Sequence, residues 1–521
     1  MNKKYILIAA LSAMTLGSCD MDKLPYDSLP DTEALNTPIN FQAAAVGLYS
    51  GMQTSIMGVF YNAPEVQCDG FHAVTGFTNS LGEMYRWTFN SQTPEFETVY
   101  GNYQALIARS NFIIDAYNKV DLTNENIFPE RATNDNPGLP AVKKAVGEAY
   151  FTRAYSIFQL SQYFCAAYDP ATANNENTGV SYRLDYAPSY DQSTYPGRNT
   201  LAQTYEQIYK DLDAAAEHIT LRGAKNNMYI SIDAITALRA RVALAQGNYE
   251  LAKDEAEILI NSGAYPLARG ENALNQLWKT SSSWNEGGGG SETIFLLVTA
   301  SPSELPLQTG NRYQPNQTGA IPDYIPTQAL MDLYDANDYR KNVYFNQVDI
   351  ETTTGGAGTV YAMNKYERDG VLFLLSQSES GRFCIEPRVF RIAEMYLIAA
   401  EAYANLEDED GLRWAEGLLN KLQRFRIDKF RNKSYADKDA FMAELKKERQ
   451  RELLVEGFRL FDIKRWHDPM QRGEAQQRDL CLLPGSGTTD LSIPADDNRL
   501  TWPIPKHEID VNPKVKQNPG Y

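Results

Sequence analysis

Positive charge is scarce in this sequence: 49 Lys and Arg stand against 66 Asp and Glu, a formal charge of -17. Phosphate binding needs clustered cations, so this balance excludes nucleic acid as a partner and disfavours attachment to anionic lipid surfaces. Histidine is rarer still. His72, His218, His467 and His507 share no metal-ligand spacing such as HExxH, which argues against a zinc site. The five cysteines include no CxxC pair, so no disulfide framework is implied for a chain of 521 residues. One or two bridges remain open, but Cys68, Cys165, Cys384 and Cys481 read chiefly as buried small residues. A GxSxG elbow and a P-loop are both missing, and the glycine run at 287–290 lacks the Lys-Ser/Thr that would make it a phosphate cradle. No cofactor and no metal are therefore expected. Beyond the N-terminus no apolar run approaches the roughly 20 residues that a membrane span requires.

The N-terminus itself is distinctive. Lys3 and Lys4 precede an apolar run, 5–16, too short to span a bilayer and shaped like a signal-peptide core. The run ends in Leu16-Gly17-Ser18-Cys19, which resembles a lipoprotein signal cleaved before the cysteine. Residues 1–18 are expected to be the signal and Cys19 the lipidated residue, with more than one acyl chain needed for stable anchoring. Residues 19–38, with Pro25, Pro30 and Pro38, suit an extended tether.

From there helical periodicity dominates. Amphipathic segments cover 41–52, 98–120, 141–164, 201–219, 232–245, 249–262, 387–406, 414–425 and 437–456. Long polar stretches at 171–197, 281–291, 301–325 and 355–370 read as loops, and 293–298 and 371–375 as short strands. The class is mainly α, with long irregular loops that are the first place to seek a binding surface. ALRARVALAQGNYELAKDEAEILINSG, 237–263, carries small residues where two helices touch and Gly247 at their turn, the layout of a tetratricopeptide repeat. Comparable pairs lie at 147–160 with 204–219 and at 391–406 with 411–426, so tetratricopeptide-like units are expected over about 97–263 and 388–427.

Several blocks coincide in one family. GEAYFTRAYSIFQL at 147, YEQIYKDLDAA at 205, FRIAEMYLIAAEAYA at 390, ERQRELLVEGFRLFDIKRW at 448 and the tail TWPIPKHEIDVNPKVKQNPGY resemble the SusD/RagB-type outer-membrane lipoproteins. One departure is Phe164-Cys165 and the Asn-rich loop after it, where such proteins continue with Phe-Gly and a proline-containing strand. The resemblance implies a single helical domain over 39–521, with a family-type C-terminal block at 437–521. It also implies anchoring at the cell surface, capture of oligosaccharides and their delivery to a SusC-like TonB-dependent barrel, without chemistry. Asp20 and Asp22 fit the acidic context of surface export in such bacteria.

Paired carboxylates are the first candidates for catalysis. Glu452 and Glu456 stand one helical turn apart with Arg449 and Arg459 three residues outside them, a spacing that favours structural ion pairs over a raised general acid. Glu394 and Glu401 are expected in the same kind of network. A sugar site instead needs flat aromatic rings flanked by polar groups. Two stretches have that mixture: 59–90, with Tyr61, Asn62, Asp69, Phe71, Phe77, Asn79, Tyr85, Arg86 and Trp87, and 278–324, with Trp278, Trp284, Arg312, Tyr313 and Tyr324. The resemblance places the glycan site in these two regions. Trp87 and Trp284 are the expected exposed platforms, with Tyr61, Asn62, Asp69, Phe71, Tyr85, Arg86, Arg312 and Tyr313 around them, while Trp414, Trp466 and Trp502 are expected in the core. Trp278 reads either way. A peptide ligand on the same architecture, an extracellular glycosidase with two inward carboxylates, and a pure protein-binding scaffold are the alternatives.

Overall fold

The computed structural model describes residues 34–56, 58–279, 291–298, 313, 321–366, 386–406, 410–483 and 492–521. Its frame is a succession of packed helices: Pro38–Thr54, Pro94–Lys119, Gly138–Phe164, Leu201–His218, Ile232–Gln246, Tyr249–Ser262, Ile392–Asn405, Gly411–Arg426 and Lys438–Glu452. Pro94–Lys119 packs on Gly138–Phe164, which packs on Leu201–His218, and Ile392–Asn405 packs between Tyr249–Ser262 and Gly411–Arg426. The class is mainly α, as the periodicity indicates.

Local chemistry explains the boundaries. Thr200 and Gln203 form a reciprocal capping box that opens Leu201–His218. In the repeat-like block, the Ser231 hydroxyl accepts from Ala234 N at 3.2 Å, Gly247 closes the first helix at φ +76°, and the Asn248 side chain caps the second. Ala234, Ala237, Ala240, Ala243, Ala252 and Ala256 are all fully buried, so small side chains let these helices approach closely. Gly147 does the same elsewhere, since a Cβ there would lie 2.7 Å from Ile219 Cγ1.

Two boundaries differ from the periodicity. The last long helix stops at Glu452, because Val455 and Gly457 take left-handed φ values of +54° and +81°. Residues Arg388–Arg391 form a strand before the helix that starts at Ile392. Among the described residues the strands form four two-stranded antiparallel ladders, Phe71–Ala73 with Tyr324–Pro326, Thr293–Leu296 with Arg388–Arg391, Phe345–Glu351 with Ala357–Met363, and Met470–Gln471 with Ser492–Ile493. The ladder at Ala357–Met363 replaces a stretch expected to be loop, while the strand expected at 371–375 lies outside the described residues. Cys68, Cys165 and Cys481 are free thiols and buried. At Cys165 the long helix ends, and its carbonyls are met by cations and amides: Lys464 Nζ donates to Cys165 O at 2.8 Å and Asn518 Nδ2 to Phe164 O at 2.9 Å.

Candidate functional site

The ladder between Phe71–Ala73 and Tyr324–Pro326 sets Ala73 opposite Tyr324 and brings the two aromatic-rich stretches of the sequence to one place. Rings gather around it. Phe71 and Tyr313 have centroids 4.9 Å apart, and Phe77 and Tyr85 each lie 5.7 Å from Tyr324. Polar ties fix the cluster: Tyr324 Oη donates to Ser80 O at 2.6 Å, and Asp323 accepts from Thr78 N at 2.6 Å and from its hydroxyl at 2.7 Å. The Arg472 guanidinium sits 4.1 Å from the Tyr85 ring centroid. His72 is enclosed here, 2.8 Å from Gly473 O, and burial holds its imidazole down at about 4.

The backbone over this cluster is unusual. Within 76–87, Gly76, Asn79, Leu81 and Trp87 all take left-handed φ, at +88°, +64°, +59° and +56°. A non-glycine residue held there costs roughly 1–3 kcal/mol, and such strain concentrates at functional surfaces. Gly76 also needs its missing Cβ, which would fall 2.2 Å from Thr353 Oγ1.

Most of the expected site rings face inward. Trp87 is 2% exposed and its indole Nε1 donates to Gln67 O at 2.7 Å, so the expectation of an open stacking platform at this position is corrected. The left-handed turn that ends Gly82–Arg86 directs the ring into the core. Phe71, Tyr85, Tyr313 and Asn62 are fully buried and are likewise packing residues. Asp69 is committed to Arg459, with contacts of 2.8 and 2.5 Å. Tyr61 is half-buried and lines a small hollow of about 60 Å³ together with Tyr155, Arg241 and Glu394. Arg86 is half-exposed on the loop face. Trp284, Arg312 and Cys19 lie outside the described residues. What the face presents outward is Thr78, Asn79 and Glu83, with Phe77 and Arg86 half-exposed. Phe77 and Asn79 stood in the sequence stretch, but nothing local distinguished them from the buried rings beside them.

The remaining tryptophans also separate. Trp502 is fully buried and Trp278 is 3% exposed on the helix Gly270–Lys279. Trp466 is half-buried, its Nε1 donating to Glu401 Oε1 at 2.7 Å. Trp414, expected in the core, is 52% exposed. It sits one position off the buried stripe of its helix, Ala415, Leu419, Leu422 and Arg426.

The acidic block is an ion-pair network, in which Glu452 and Glu456 take partners other than Arg449 and Arg459. Glu452 accepts from Arg340 Nη1 at 2.8 Å, Arg391 Nη1 at 2.6 Å and Arg426 Nη2 at 2.8 Å. Glu456 meets Lys365 and Arg391, whereas Arg449 pairs with Asp462 and Arg459 with Asp69. Burial alone would raise these carboxyls, but the arginines outweigh it: Glu448 is held at about 2 and Glu452 well below the usual range. Neither can serve as a general acid at neutral pH. Glu394 pairs with Arg241, and Glu401 with Arg465. Glu65, pushed up to about 7 by burial, is only 4% exposed and sealed from solvent.

Two further hollows are open. A cleft of about 770 Å³ runs between Arg198, His467, Asp496, Lys516 and their neighbours, with no Phe, Tyr or Trp in its lining. A groove of about 310 Å³ lies along Val46, Ala145 and Tyr229.

Comparison with known proteins bears on this arrangement. Residues 348–521 match the model of the SusD family, and residues 21–244 match a second model described as "Starch-binding associating with outer membrane". The chain belongs to the SusD-like family. It is 23% identical over 551 residues to SusD-like protein P2 of Formosa agariphila, the alignment covering 100% of both chains. A SusD superfamily protein from Bacteroides thetaiotaomicron matches with a TM-score of 0.73 at 23% identity, over 93% of this chain and 100% of that one. Surface glycan-binding protein A from Bacteroides fluxus matches with a TM-score of 0.62 at 19% identity, over 93% of this chain and 99% of the other. These structural likenesses carry the fold of the SusD-like protein described above: a helical frame bearing a loop-built face. Among its described residues no helix is long and apolar enough to cross a membrane.

Proposed function

We propose that this protein captures oligosaccharides at the cell surface on the face built from 71–87 and 321–327, and passes them to a SusC-like TonB-dependent barrel without transforming them. The observation that carries the reading is the convergence of two stretches more than 200 residues apart into one aromatic cluster, with Phe77 at its open edge and Thr78, Asn79, Glu83 and Arg86 around it. A half-exposed ring among hydrogen-bonding side chains suits the C–H face and hydroxyls of a pyranose. The buried rings beneath brace that edge. The arginine-held carboxylates support a non-catalytic role, because the block richest in acids is occupied by internal pairing. Anchoring through lipids on Cys19 would keep this face above the membrane.

The test is a panel of neutral and acidic oligosaccharides incubated with the ectodomain, with binding and product release both recorded, alongside Phe77→Ala. Binding without products, weakened in the variant while its melting curve is kept, is the expected outcome. Product release would point to the glycosidase alternative. Tight binding of peptides with no glycan bound would move the ligand class.

A further inference from the structure

The single Trp that stands open among the described residues lies far along the chain from the loop face. Trp414, 52% exposed, is on the helix Gly411–Arg426, and Tyr403 on the preceding helix lies beside it, ring centroids 6.4 Å apart and planes inclined by 31°. The two rings are close neighbours in a shallow tilt. The Tyr403 hydroxyl donates to Glu257 Oε1 at 2.7 Å, which fixes the tyrosine, and Lys253 lies 5.8 Å from the Tyr403 ring centroid. Arg413 sits 5.3 Å from the Trp414 centroid, its side chain 69% exposed and paired with Asp410 at 3.4 Å.

We infer that Trp414 and Tyr403 form a second saccharide-stacking platform, on the helical-repeat side of the molecule, for a neutral glycan chain. The inference rests on the glycan-binding reading above. Three features point to a sugar. An indole this exposed is not needed for packing, because the core contacts of its helix are made by Ala415, Leu419 and Leu422. Its described surroundings are polar: Lys253, paired with Glu250 and Asp254, and Glu257 meet Tyr403, while Arg413, paired with Asp410, lies against Trp414, an array that offers partners to sugar hydroxyls. Those neighbours carry more acid than base, which opposes a uronate or sulfated chain and suits an uncharged one. A polymer long enough to reach both platforms would bind by linked contacts, with a gain in avidity that a short oligosaccharide lacks.

The experiment labels the chain with 5-fluorotryptophan and assigns the Trp414 resonance from Trp414→Phe. Soluble starch, a β-glucan, a mannan, a xylan and a galactan, each also as a hexasaccharide, are then titrated into the full ectodomain. The expected result is a shift of the Trp414 signal with the same glycan that the wild-type chain retains on affinity gels. Trp414→Ala should weaken binding of that polymer about 5- to 150-fold, the range that one stacked ring supplies, with an unchanged melting curve. If the glycan binds, the Trp414 signal stays still and Trp414→Ala binds equally, the platform is overturned and the loop-face reading stands. If no glycan of the panel is bound, both fall together. Unchanged glycan affinity in Trp414→Ala with loss of the complex with its barrel partner would assign the rings to a protein contact and also overturn the inference.

Discussion

Glu452 is the test of what holds the C-terminal segments of the chain together. It is fully buried and accepts from Arg340, Arg391 and Arg426, which come from three separate segments. Glu452→Gln keeps the shape and removes the charge. Breaking a buried ion pair costs about 3–5 kcal/mol. Each arginine keeps another carboxylate, Glu448 and Asp338 for Arg340, Glu456 for Arg391 and Glu292 for Arg426, so the low end applies. With an unfolding entropy of about 2.1 cal/mol/K per residue, the 521-residue chain changes by roughly 1 kcal/mol per kelvin, and a loss of about 3 kcal/mol lowers Tm by about 3 °C. Scanning calorimetry reads this directly. The pH dependence adds a second check. Glu448, at about 2, and Glu452 stay ionised in the fold while the same groups titrate near 4.3 in the unfolded chain. The unfolded state therefore takes up protons first. Their contribution is complete above about pH 5 and is lost as pH falls toward 2. The gap between wild type and Glu452→Gln should narrow over that window. A variant that melts within about 1 °C of wild type at pH 7, with a gap unmoved by acid, would refute the argument.

His72 titrates in its own window. Its folded value of about 4 lies below the unfolded 6.5, so the unfolded chain binds the proton first and stability falls as pH drops from 6.5 toward 4. His72→Phe should flatten urea midpoints between pH 6.5 and 4, and an undiminished slope would count against this. Trp87→Ala removes a buried ring and should cost about 3–5 kcal/mol, seen as a lower denaturation midpoint; a variant as stable as wild type would mean that the ring is dispensable packing. Cys19→Ala should move the protein out of the membrane fraction with its circular dichroism unchanged, and wild-type recovery in that fraction would contradict the lipid anchor.

The helices were legible because their signals are local. Gly247 between two alanine-rich segments marks a turn whatever surrounds it, and both helices form where the period places them. Trp414 was legible too, on stricter counting: from Ala415, Leu419 and Leu422 the apolar stripe leaves position 414 about 100° to one side. Reading it as core followed the block's apolar composition when the phase decided. Trp87 carried no such signal. Its burial depends on a left-handed turn and on Gln67 O, and Asn and Gly neighbours suggest exposure until the chain is folded. The ion pairs show the same limit. That the acids would be paired followed from composition, but Arg340, Arg391 and Arg426 approach Glu452 from 26 to 112 residues away, a matter of tertiary contact alone. The loop face was legible as two regions because aromatic and polar residues alternate there, whereas which rings turn outward depends on the pairing of Phe71–Ala73 with Tyr324–Pro326.

Hydrogen–deuterium exchange on the ectodomain, with and without a glycan that it retains from the panel, tests the central claim most directly. Bound sugar should slow exchange of the amides at 75–90 and 321–327, where Thr78, Asn79 and Glu83 border Phe77. Binding that leaves these amides unchanged, while protecting only the cleft at 495–501 and 516–519 or the groove along Val46 and Tyr229, would contradict it.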